Sequence, residues 1–542
     1  MDGTWVDEAG LRTYRPVVMG ARGAVACGHP LAAQAGAEAL RHGAGAGDAA
    51  VVVASTLAVV EPMMSGVGGD GYFLYYSARE GRATVINATG PAPQAATADR
   101  FPNGIPAVGA IAASVPGVVD GWWQLNHRFG SWDFSDLLQA AIYYAREGFG
   151  ATRRYVDFAA RSEALAKDPE AGRVFLPQGR APRLGEKIVQ RDLARTLEII
   201  AEGGAEAFYR GPLGARLAAA VQAKGGLIAE FDLIDYEAEI QEPISTSYRD
   251  YTVLEAPPNS SGFTLLQELN VAEQFDLRGM GFLSADTVHT LVEIKKLAFL
   301  ERERWCADQR FLDAPLEELL SKERARQLAA QVDPRRAADR PVVAPVAAGS
   351  DTTYFCVVDG RGNAVSGIQS INEFFGSAMA GDTGVLLNNR MRYWHLDAGH
   401  PNLLEPGKRV RHTMNPPLVL KDGRVRAVFG TPGADAQVQT NLQVLTNLVD
   451  FELDPQQAVE APRWRSFQPG GEANWPHTIS DHLLVEDRFP AAVRDELAAR
   501  GHMLEVVGPL EGGCNAQVIV RQDDGLLLAA SDPRRDGYAL AY

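Results

Sequence analysis

The sequence lacks the cysteine patterns that would place it in a disulfide-rich or zinc-binding class. Its 542 residues contain only four cysteines, none of them in a CxxC or Cys/His ligand spacing: Cys27, Cys306, Cys356 and Cys514. We therefore expect neither a disulfide framework nor a metal site, and we expect the four thiols to be reduced and mostly buried. The histidines are scattered along the chain, which likewise gives no metal-ligand spacing.

Positive charge and long hydrophobic runs are also scarce. The formal net charge of −16 and the pI near 5.2 argue against nucleic acid or an anionic membrane as partner, because either would require a basic surface. The longest apolar run, Ala49 to Val60, is too short to cross a bilayer. The first 28 residues contain no apolar segment typical of a secretory signal. These absences predict a small-molecule partner and a cytoplasmic location.

A hairpin near residue 352 is the most informative pattern that is present. A Pro/Ala/Arg-rich connector, 331–350, leads into the alternating run Thr353–Val358, then a Gly/Asn turn, then a second apolar run, Ala364–Ile371. Thr352 heads the first strand. A threonine at a chain terminus can act as a nucleophile because its own α-amine accepts the proton of Oγ1. The alternative is that Thr352 is simply a good strand former.

Three other segments allow local predictions. Asp48 is expected to cap a buried helix over 49–60. The glycine loop 65–71 lies between that helix and a strand, the reverse of a dinucleotide-binding order, so it predicts close backbone packing and not nucleotide binding. The charged run 301–304 within the helical stretch 285–307 predicts a solvated helix surface.

Short blocks along nearly the whole chain resemble, in the same order, the γ-glutamyltranspeptidase family of N-terminal-nucleophile hydrolases. They are 47–73, 115–122, 145–149, 257–262, 289–308, 352–389, 430–433, 460–463 and 530–534. The resemblance implies an α+β fold, a four-layer αββα sandwich of two sheets covered by helices. It also implies an enzyme without cofactor or metal.

The resemblance further implies that the precursor cuts itself between Asp351 and Thr352. The products would be a large subunit, 1–351, and a small subunit, 352–542, whose first residue, Thr352, is the nucleophile. These two fragments would be each other's partners, alone or as a dimer of the pair. Thr353 fits the nucleophile's role less well, because the family uses the first threonine of the pair.

Four further positions match residues that assist the family's nucleophile. Ser370 lies eighteen residues after Thr352, where the family has a second hydroxyl, and Asn372 falls where the family has a substrate-orienting Asn. Gly433 and Ala434 replace a Gly-Gly pair whose N–H groups form an oxyanion hole. Because alanine restricts the backbone, we expect this hole to persist if φ of Ala434 is negative.

The positions that recognise a γ-glutamyl head depart from the family. Thr89 stands in place of an Arg, the run 391–394 (MRYW) replaces the MDDF block, and His412 and Thr413 replace a Ser-Ser pair. The sequence has gained Arg390 and Arg392, and Arg suits bidentate capture of a carboxylate. The alternative for these arginines is pairing with Asp397 or Asp435, or binding to their own backbone.

The leading hypothesis is therefore a self-processing amidohydrolase for a small carboxylate-bearing amide such as oxamate or a short acyl amide. Its substrate-binding residues would be Asn372, Arg390, Arg392, His412 and Thr413. A second hypothesis keeps γ-glutamyl hydrolysis or transfer with other residues supplying recognition. A third is a non-catalytic binding protein on the same fold.

Overall fold

The computed structural model describes residues 12–341, 351–469 and 480–542. Its strands, in chain order, are β1 (Val18–Gly20), β2 (Gly23–Cys27), β3 (Asp70–Ser77), β4 (Arg82–Ala88), β5 (Phe149–Gly150), β6 (Lys187–Ile188), β7 (Glu239–Gln241), β8 (Ile244–Tyr248), β9 (Tyr251–Glu255), β10 (Asp351–Asp359), β11 (Ala364–Asn372), β12 (Ala378–Met379), β13 (Leu386–Leu387), β14 (Leu418–Lys421), β15 (Arg424–Gly430), β16 (Trp464–Phe467), β17 (His482–Glu486), β18 (Leu504–Val507), β19 (Gln517–Arg521), β20 (Leu527–Ser531) and β21 (Tyr538–Ala541).

The helices of the same residues range from one turn to more than five turns. They are α1 (Pro30–Arg41), α2 (Ala46–Val60), α3 (Val118–Phe129), α4 (Phe134–Leu137), α5 (Gln139–Glu147), α6 (Arg153–Ala159), α7 (Glu163–Lys167), α8 (Pro169–Phe175), α9 (Arg191–Tyr209), α10 (Pro212–Ala223), α11 (Glu230–Ile234), α12 (Gly262–Ala272), α13 (Leu277–Met280), α14 (Ala285–Trp305), α15 (Leu316–Leu319), α16 (Lys322–Ala329), α17 (Ala436–Val449), α18 (Pro455–Glu460) and α19 (Ala491–Ala499).

Two antiparallel seven-stranded sheets form the centre of the molecule. The first sheet has the order β1-β20-β19-β15-β14-β9-β8, and the second has the order β21-β2-β10-β11-β3-β4-β7. One hydrophobic core lies between the sheets, a second lies between the second sheet and helices such as α1, α2 and α3, and a third lies between the first sheet and helices such as α12, α14 and α17. The predicted α+β fold with four layers, αββα, is confirmed.

The predicted hairpin is the pair β10 and β11, at the centre of the second sheet. Along β10, Tyr354 and Cys356 face the core between the sheets, whereas Phe355 and Val357 face the helices. This alternation follows from the two-residue period of a strand. It decides where the two threonines at the head of β10 point.

Helix α2 is buried all round, as its apolar sequence predicts, but its start was predicted wrongly. The helix begins at Ala46 after an N-cap at Gly45, and Asp48 is the third helical residue, whose carboxylate accepts the Gly45 N–H at 3.3 Å. A carboxylate three residues after the N-cap that accepts the N-cap N–H is one half of a capping box, and glycine has no side chain to supply the other half, so Asp48 stabilises the helix start by this single contact.

Helix α14 corrects most of the prediction of a solvated charged surface, since of residues 301–304 only Arg304 is exposed. Glu301, Arg302 and Glu303 are buried, because each of these side chains meets an opposite charge from another segment. Glu301 pairs with Arg324, Arg302 with Asp435, and Glu303 with Arg411. In α14, most of the mixed-charge run therefore packs against charged neighbours instead of facing solvent.

The remaining general expectations concern thiols and membrane helices. Cys27, Cys306, Cys356 and Cys514 are unpaired and buried, as predicted. Within the part of the chain that the structure describes, no helix has both the length and the apolar content needed to cross a membrane.

Candidate active site

The head of β10 brings Thr352 next to Ser370 on β11. Asp351 pairs with Asn372 and Thr353 with Gln369, so the register shifts by a bulge at Thr352. The Thr352 hydroxyl donates to Ser370 Oγ at 3.3 Å, and both side chains are buried. A bulge commonly re-aims a side chain at a site. Here it places two hydroxyls together at the end of a hairpin.

Thr353 points the other way, toward the helical layer. Its hydroxyl donates to Glu61 Oε2 at 2.6 Å, and Glu61 is the C-cap residue of α2. This hydrogen bond anchors the strand one residue beyond Thr352. The two threonines thus face opposite sides of the second sheet, and only Thr352 shares a side with the residues described next.

Asn372 connects the two hydroxyls to a buried arginine. Its N–H donates to Ser370 Oγ at 2.8 Å, while its side-chain Oδ1 accepts from Arg390 Nη1 at 3.4 Å. Its side-chain amide also donates to the Asn389 carbonyl at 3.2 Å. With φ of 76° the residue lies in the left-handed region, where Asn is tolerated better than most side chains. Asn372, at the end of β11, therefore contacts Ser370 through its backbone and Arg390 through its side chain.

The predicted oxyanion loop follows β15. Gly430 packs so closely against Tyr354 that a Cβ at position 430 would lie 2.4 Å from the tyrosine ring. Because Tyr354 is two residues after Thr352, this contact places the start of the loop near Thr352. φ is 129° at Gly433 and 50° at Ala434. Ala434 therefore does not meet the condition of a negative φ under which the oxyanion hole was expected to persist. Among the described residues neither N–H of this pair donates a hydrogen bond.

Asp70 is the residue of this region that sequence reasoning missed. It is the first residue of β3 and pairs with Ser370 across the sheet. Its Oδ2 lies 3.2 Å from Arg390 Nε, and its Oδ1 accepts the Gly90 N–H at 2.8 Å. Burial raises the pKa of the Asp70 carboxyl to about 6, although Arg390 opposes the shift. In the sequence, Asp70 is distinguished only as the single acidic residue of the glycine-rich loop 65–71.

Arg390 is fully buried and only partly satisfied. It pairs with Asp70 and not with Asp397 or Asp435, so the specific pairing weighed from the sequence was wrong. Its guanidinium also lies 4.6 Å from the centre of the Tyr393 ring. Nη2 has no hydrogen-bond partner among the described residues. A buried donor without a partner costs about 1–3 kcal/mol, so this atom is available to an acceptor.

His412 lies near the same oxygen of the Asp70 carboxylate. Its Nε2 is 3.7 Å from Asp70 Oδ2, and neither ring nitrogen makes a hydrogen bond with the described residues. Burial, with the nearby charges of Arg390 and Arg409, lowers the pKa of His412 well below its usual range. The imidazole is therefore neutral in this state and offers one donor and one acceptor.

The other predicted positions are held by the protein itself. Thr89 is buried, donates to Asn87 Oδ1 at 2.6 Å and accepts from Asn259 Nδ2 at 3.2 Å. Thr413 Oγ1 accepts a long hydrogen bond of 3.5 Å from Gln437. Arg409 donates to the Thr89 carbonyl at 2.9 Å and is paired with Glu239. These contacts leave Asp70, Arg390 and His412 as the group that converges near Ser370.

Arg392 does not join that group. It forms an ion pair with Glu373 and borders a separate cavity of about 350 Å³. The lining residues of this cavity are Ala107, Val108, Arg161, Ser162, Glu163, Ala164, Glu373, Phe374, Gly376 and Arg392. The three basic residues expected to act together are therefore divided between two places.

Among the residues that the structure describes, two groups of histidine and glutamate have ligand atoms within 4.8 Å of one another: His289, Glu293 and His502, and Glu303, His395 and His400. Both groups depart from the expectation of scattered histidines, since His289 Nδ1 lies 2.9 Å from His502 Nε2 and the rings of His395 and His400 stack 3.5 Å apart. In each group a protein cation already pairs with the glutamate, Lys296 in the first and Arg411 in the second. We assign neither as a metal centre.

Comparison with known proteins gives a consistent result along the whole chain. A family model described as gamma-glutamyltranspeptidase matches residues 32–542. A glutathione hydrolase-like YwrD proenzyme from Bacillus subtilis (strain 168) is 39% identical over 533 residues, covering 96% of this chain and 99% of that protein. An oxamate amidohydrolase proenzyme from Klebsiella pneumoniae is 35% identical over 531 residues, covering 95% and 97%. The crystal structure of cephalosporin acylase from Bacillus halodurans superposes with a TM-score of 0.89 at 33% identity, covering 98% of each chain.

Proposed function

The chain belongs to the gamma-glutamyltranspeptidase family, and we propose that it is a self-processing amidohydrolase whose substrate is a small amide carrying a carboxylate. As a member it is an enzyme of the N-terminal-nucleophile hydrolase class, since its relatives are named as hydrolases and acylases. This membership argues against the alternative of a non-catalytic binding protein.

The proposed reaction begins with a cut between Asp351 and Thr352, which yields fragments 1–351 and 352–542. Thr352 Oγ1 then attacks the amide carbonyl of the substrate and passes its proton to the freed α-amine of the same residue. Although φ of Ala434 is positive, the N–H groups of Gly433 and Ala434 remain the proposed donors that stabilise the oxyanion, because neither donates to another described residue. The amine returns the proton to the leaving nitrogen as the C–N bond breaks. Water then hydrolyses the acyl ester.

The role of Ser370 in this scheme is to hold the nucleophile. Its Oγ accepts from both the Thr352 hydroxyl and the Asn372 N–H. A hydroxyl fixed by a backbone N–H keeps Oγ1 of Thr352 in one orientation, which favours attack from a single direction.

The observation that carries the choice of substrate is the position of Asn372 between the hydroxyls and Arg390. Hydrogen bonds run from Thr352 to Ser370, from Ser370 to the Asn372 N–H, and from Asn372 Oδ1 to Arg390 Nη1, so Ser370 and Asn372 connect the nucleophile to the cation, which suits a short acyl group. Arg390 and His412 supply the donors, and a guanidinium favours a carboxylate over neutral groups. Oxamate, in which carboxylate and amide are joined directly, is the shortest substrate of this kind.

Hydrolysis of γ-glutamyl amides is a second candidate, favoured by one specific observation. Asp70 brings a buried carboxylate beside Arg390, so the pair offers a partner for an α-ammonium as well as for an α-carboxylate. This acid comes from β3 and compensates for the MDDF block that the sequence lacks. A relative with 39% identity bears the name glutathione hydrolase-like.

The test of the mechanism is the variant Thr352→Ala. We expect the purified wild-type protein to contain two fragments, the smaller beginning at Thr352, and the variant to remain one chain with activity reduced at least about ten-thousandfold. Intact mass spectrometry and amide turnover measure both effects. Thr353→Val is the matched control, because it removes only the hydrogen bond to Glu61 and should still be cut. An uncut wild-type protein with full activity would refute the mechanism.

A panel of amides separates the two candidate substrates. Ammonia release from oxamate and short carboxylate-bearing amides, without turnover of a γ-glutamyl anilide, is expected from the leading proposal. Saturable release of glutamate from the anilide, with no activity on oxamate, would favour the second candidate instead.

A further inference from the structure

The charges around Arg390 are already balanced before a substrate binds. Arg390 contributes one positive charge and Asp70 one negative charge at 3.2 Å, and both side chains are fully buried. His412 is neutral. Arg409, the next cation, is occupied by Glu239 and by the carbonyls of Thr89 and Glu237.

A substrate carboxylate would therefore add an uncompensated negative charge to a dry site. Burial of an unpaired charge is costly, and a site generally responds by changing its protonation. The two groups that can accept a proton here are adjacent, since Asp70 Oδ2 and His412 Nε2 are 3.7 Å apart. Groups this close titrate as a pair and not as separate residues.

We propose that Asp70 is a specificity-determining residue that couples binding of an anionic head group to uptake of one proton, held between its carboxyl and the His412 ring. The inference rests on the proposed function, because it assumes an anionic head at Arg390. With the proton in place the site is neutral again, and Arg390 Nη2 and a His412 N–H both donate to the bound carboxylate. Without Asp70, Arg390 would attract carboxylates at any pH.

The other groups that face Asp70 do not replace it in this role. The Gly90 N–H fixes Oδ1, and Arg390 and Arg409 carry permanent charges. The hydroxyls of Tyr209 and Tyr236 lie near enough for Asp70 to influence them, but burial holds the pKa of each well above its usual range, so both remain neutral. Among these neighbours, only the Asp70–His412 pair can change its protonation near neutral pH.

The direction of the pH effect follows from the free enzyme. Below about pH 6 the Asp70 carboxyl already holds a proton, because burial raises its pKa to about 6, so binding requires no uptake there. Above that pH the proton must come from solvent. The affinity for a carboxylate should therefore be flat below about pH 6 and fall by up to about tenfold per pH unit above it.

The experiment uses the purified protein with oxalate, the acid that hydrolysis of oxamate leaves, as the probe. Calorimetry in two buffers of different ionisation enthalpy at about pH 7.5 measures the protons taken up, and inhibition constants between about pH 5.5 and 8.5 give the profile. We expect uptake approaching one proton per site.

Asp70→Asn keeps the acceptor for the Gly90 N–H and removes the titrating carboxyl. This variant should take up about one proton fewer than the wild type, lose the pH dependence that begins near pH 6 and bind oxalate at least about tenfold more tightly than the wild type at about pH 8. Asp120→Asn, which alters a buried acid of α3 that also accepts a backbone N–H, should retain the wild-type profile.

Two outcomes would overturn the inference in different ways. Binding of oxalate by the wild type without proton uptake, or an unchanged profile in Asp70→Asn, would reject the role of Asp70 and leave the proposed function intact. If oxalate does not bind at any pH tested, the anionic head group itself is wrong, and both proposals fail. If Asp70→Asn does not fold, the number of protons that the wild type takes up on binding oxalate still tests the role of Asp70.

Discussion

The two ends of the site are built from different kinds of contact. At the nucleophile end, Thr352 and Ser370 are neutral hydroxyls on one hairpin, oriented by a backbone N–H. At the recognition end, Asp70, Arg390 and His412 are buried ionisable groups that come from three distant segments. In the proposed mechanism, the first arrangement would serve any amide, whereas the second would decide which amide is accepted.

The difference teaches that chemistry and specificity can change separately in this fold. Thr352 and Ser370 are fixed by strand register, so a change there alters the reaction itself. The recognition group depends on charge balance, so one substitution among its members alters which head group is stable in the site. Variants at the two ends should accordingly change different kinetic constants.

The largest change in a kinetic constant is expected from Arg390→Gln at the recognition end. Removal of the buried cation should raise KM for a carboxylate-bearing amide about a hundredfold, equivalent to about 3 kcal/mol, with a smaller change in kcat. Arg390→Lys should recover only part of the affinity, because lysine restores the positive charge but lacks the paired N–H donors of a guanidinium. Steady-state kinetics on the best amide of the panel measures both constants.

Arg463→Gln is the matched control for Arg390→Gln. It breaks another buried Arg–Asp pair, with Asp532 at 2.8 Å, outside the recognition group. Both variants should lower the thermal unfolding midpoint, but only the change at Arg390 should raise KM. An equal rise of KM in the two would mean that the effect comes from general destabilisation.

A smaller effect is expected from Ser370→Ala at the nucleophile end. Loss of one hydroxyl that orients Thr352 should lower kcat about fivefold, since one neutral hydrogen bond is worth about 1 kcal/mol, and should leave KM nearly unchanged. Ser370→Thr should retain most of the rate because the hydroxyl is kept. If KM rose instead of kcat falling, the separation of the two ends would not hold.

The smallest effect is expected from Ala434→Gly in the oxyanion loop. Because φ of Ala434 is 50°, an alanine there is strained, and glycine should raise the free energy of unfolding by up to about 1 kcal/mol. Ala50→Gly, within helix α2, should lower it by about 1 kcal/mol or more. Urea unfolding of the two variants gives the signs. A loss of stability in Ala434→Gly would contradict the strain at this position.

The sequence predicts the hairpin that carries Thr352 and Ser370 well and the contacts of Arg390 poorly, for physical reasons. A hairpin is a local structure, so strand alternation and the turn at 359–363 are sufficient to predict that β10 and β11 pair. Asp70 meets Arg390 only through the order of strands in a sheet, which no local pattern encodes. The same reason explains α14, where charged residues predicted to face solvent find partners far away in the chain.

The strand order carries a last consequence for the cut before Thr352. Each seven-stranded sheet interleaves strands from both sides of that position: β10 lies between β2 and β11, and β14 lies between β9 and β15. Severing one peptide bond would therefore leave two polypeptides woven through the same pair of sheets. They should comigrate during native sizing and separate only under denaturing conditions, and neither should assemble when produced without the other.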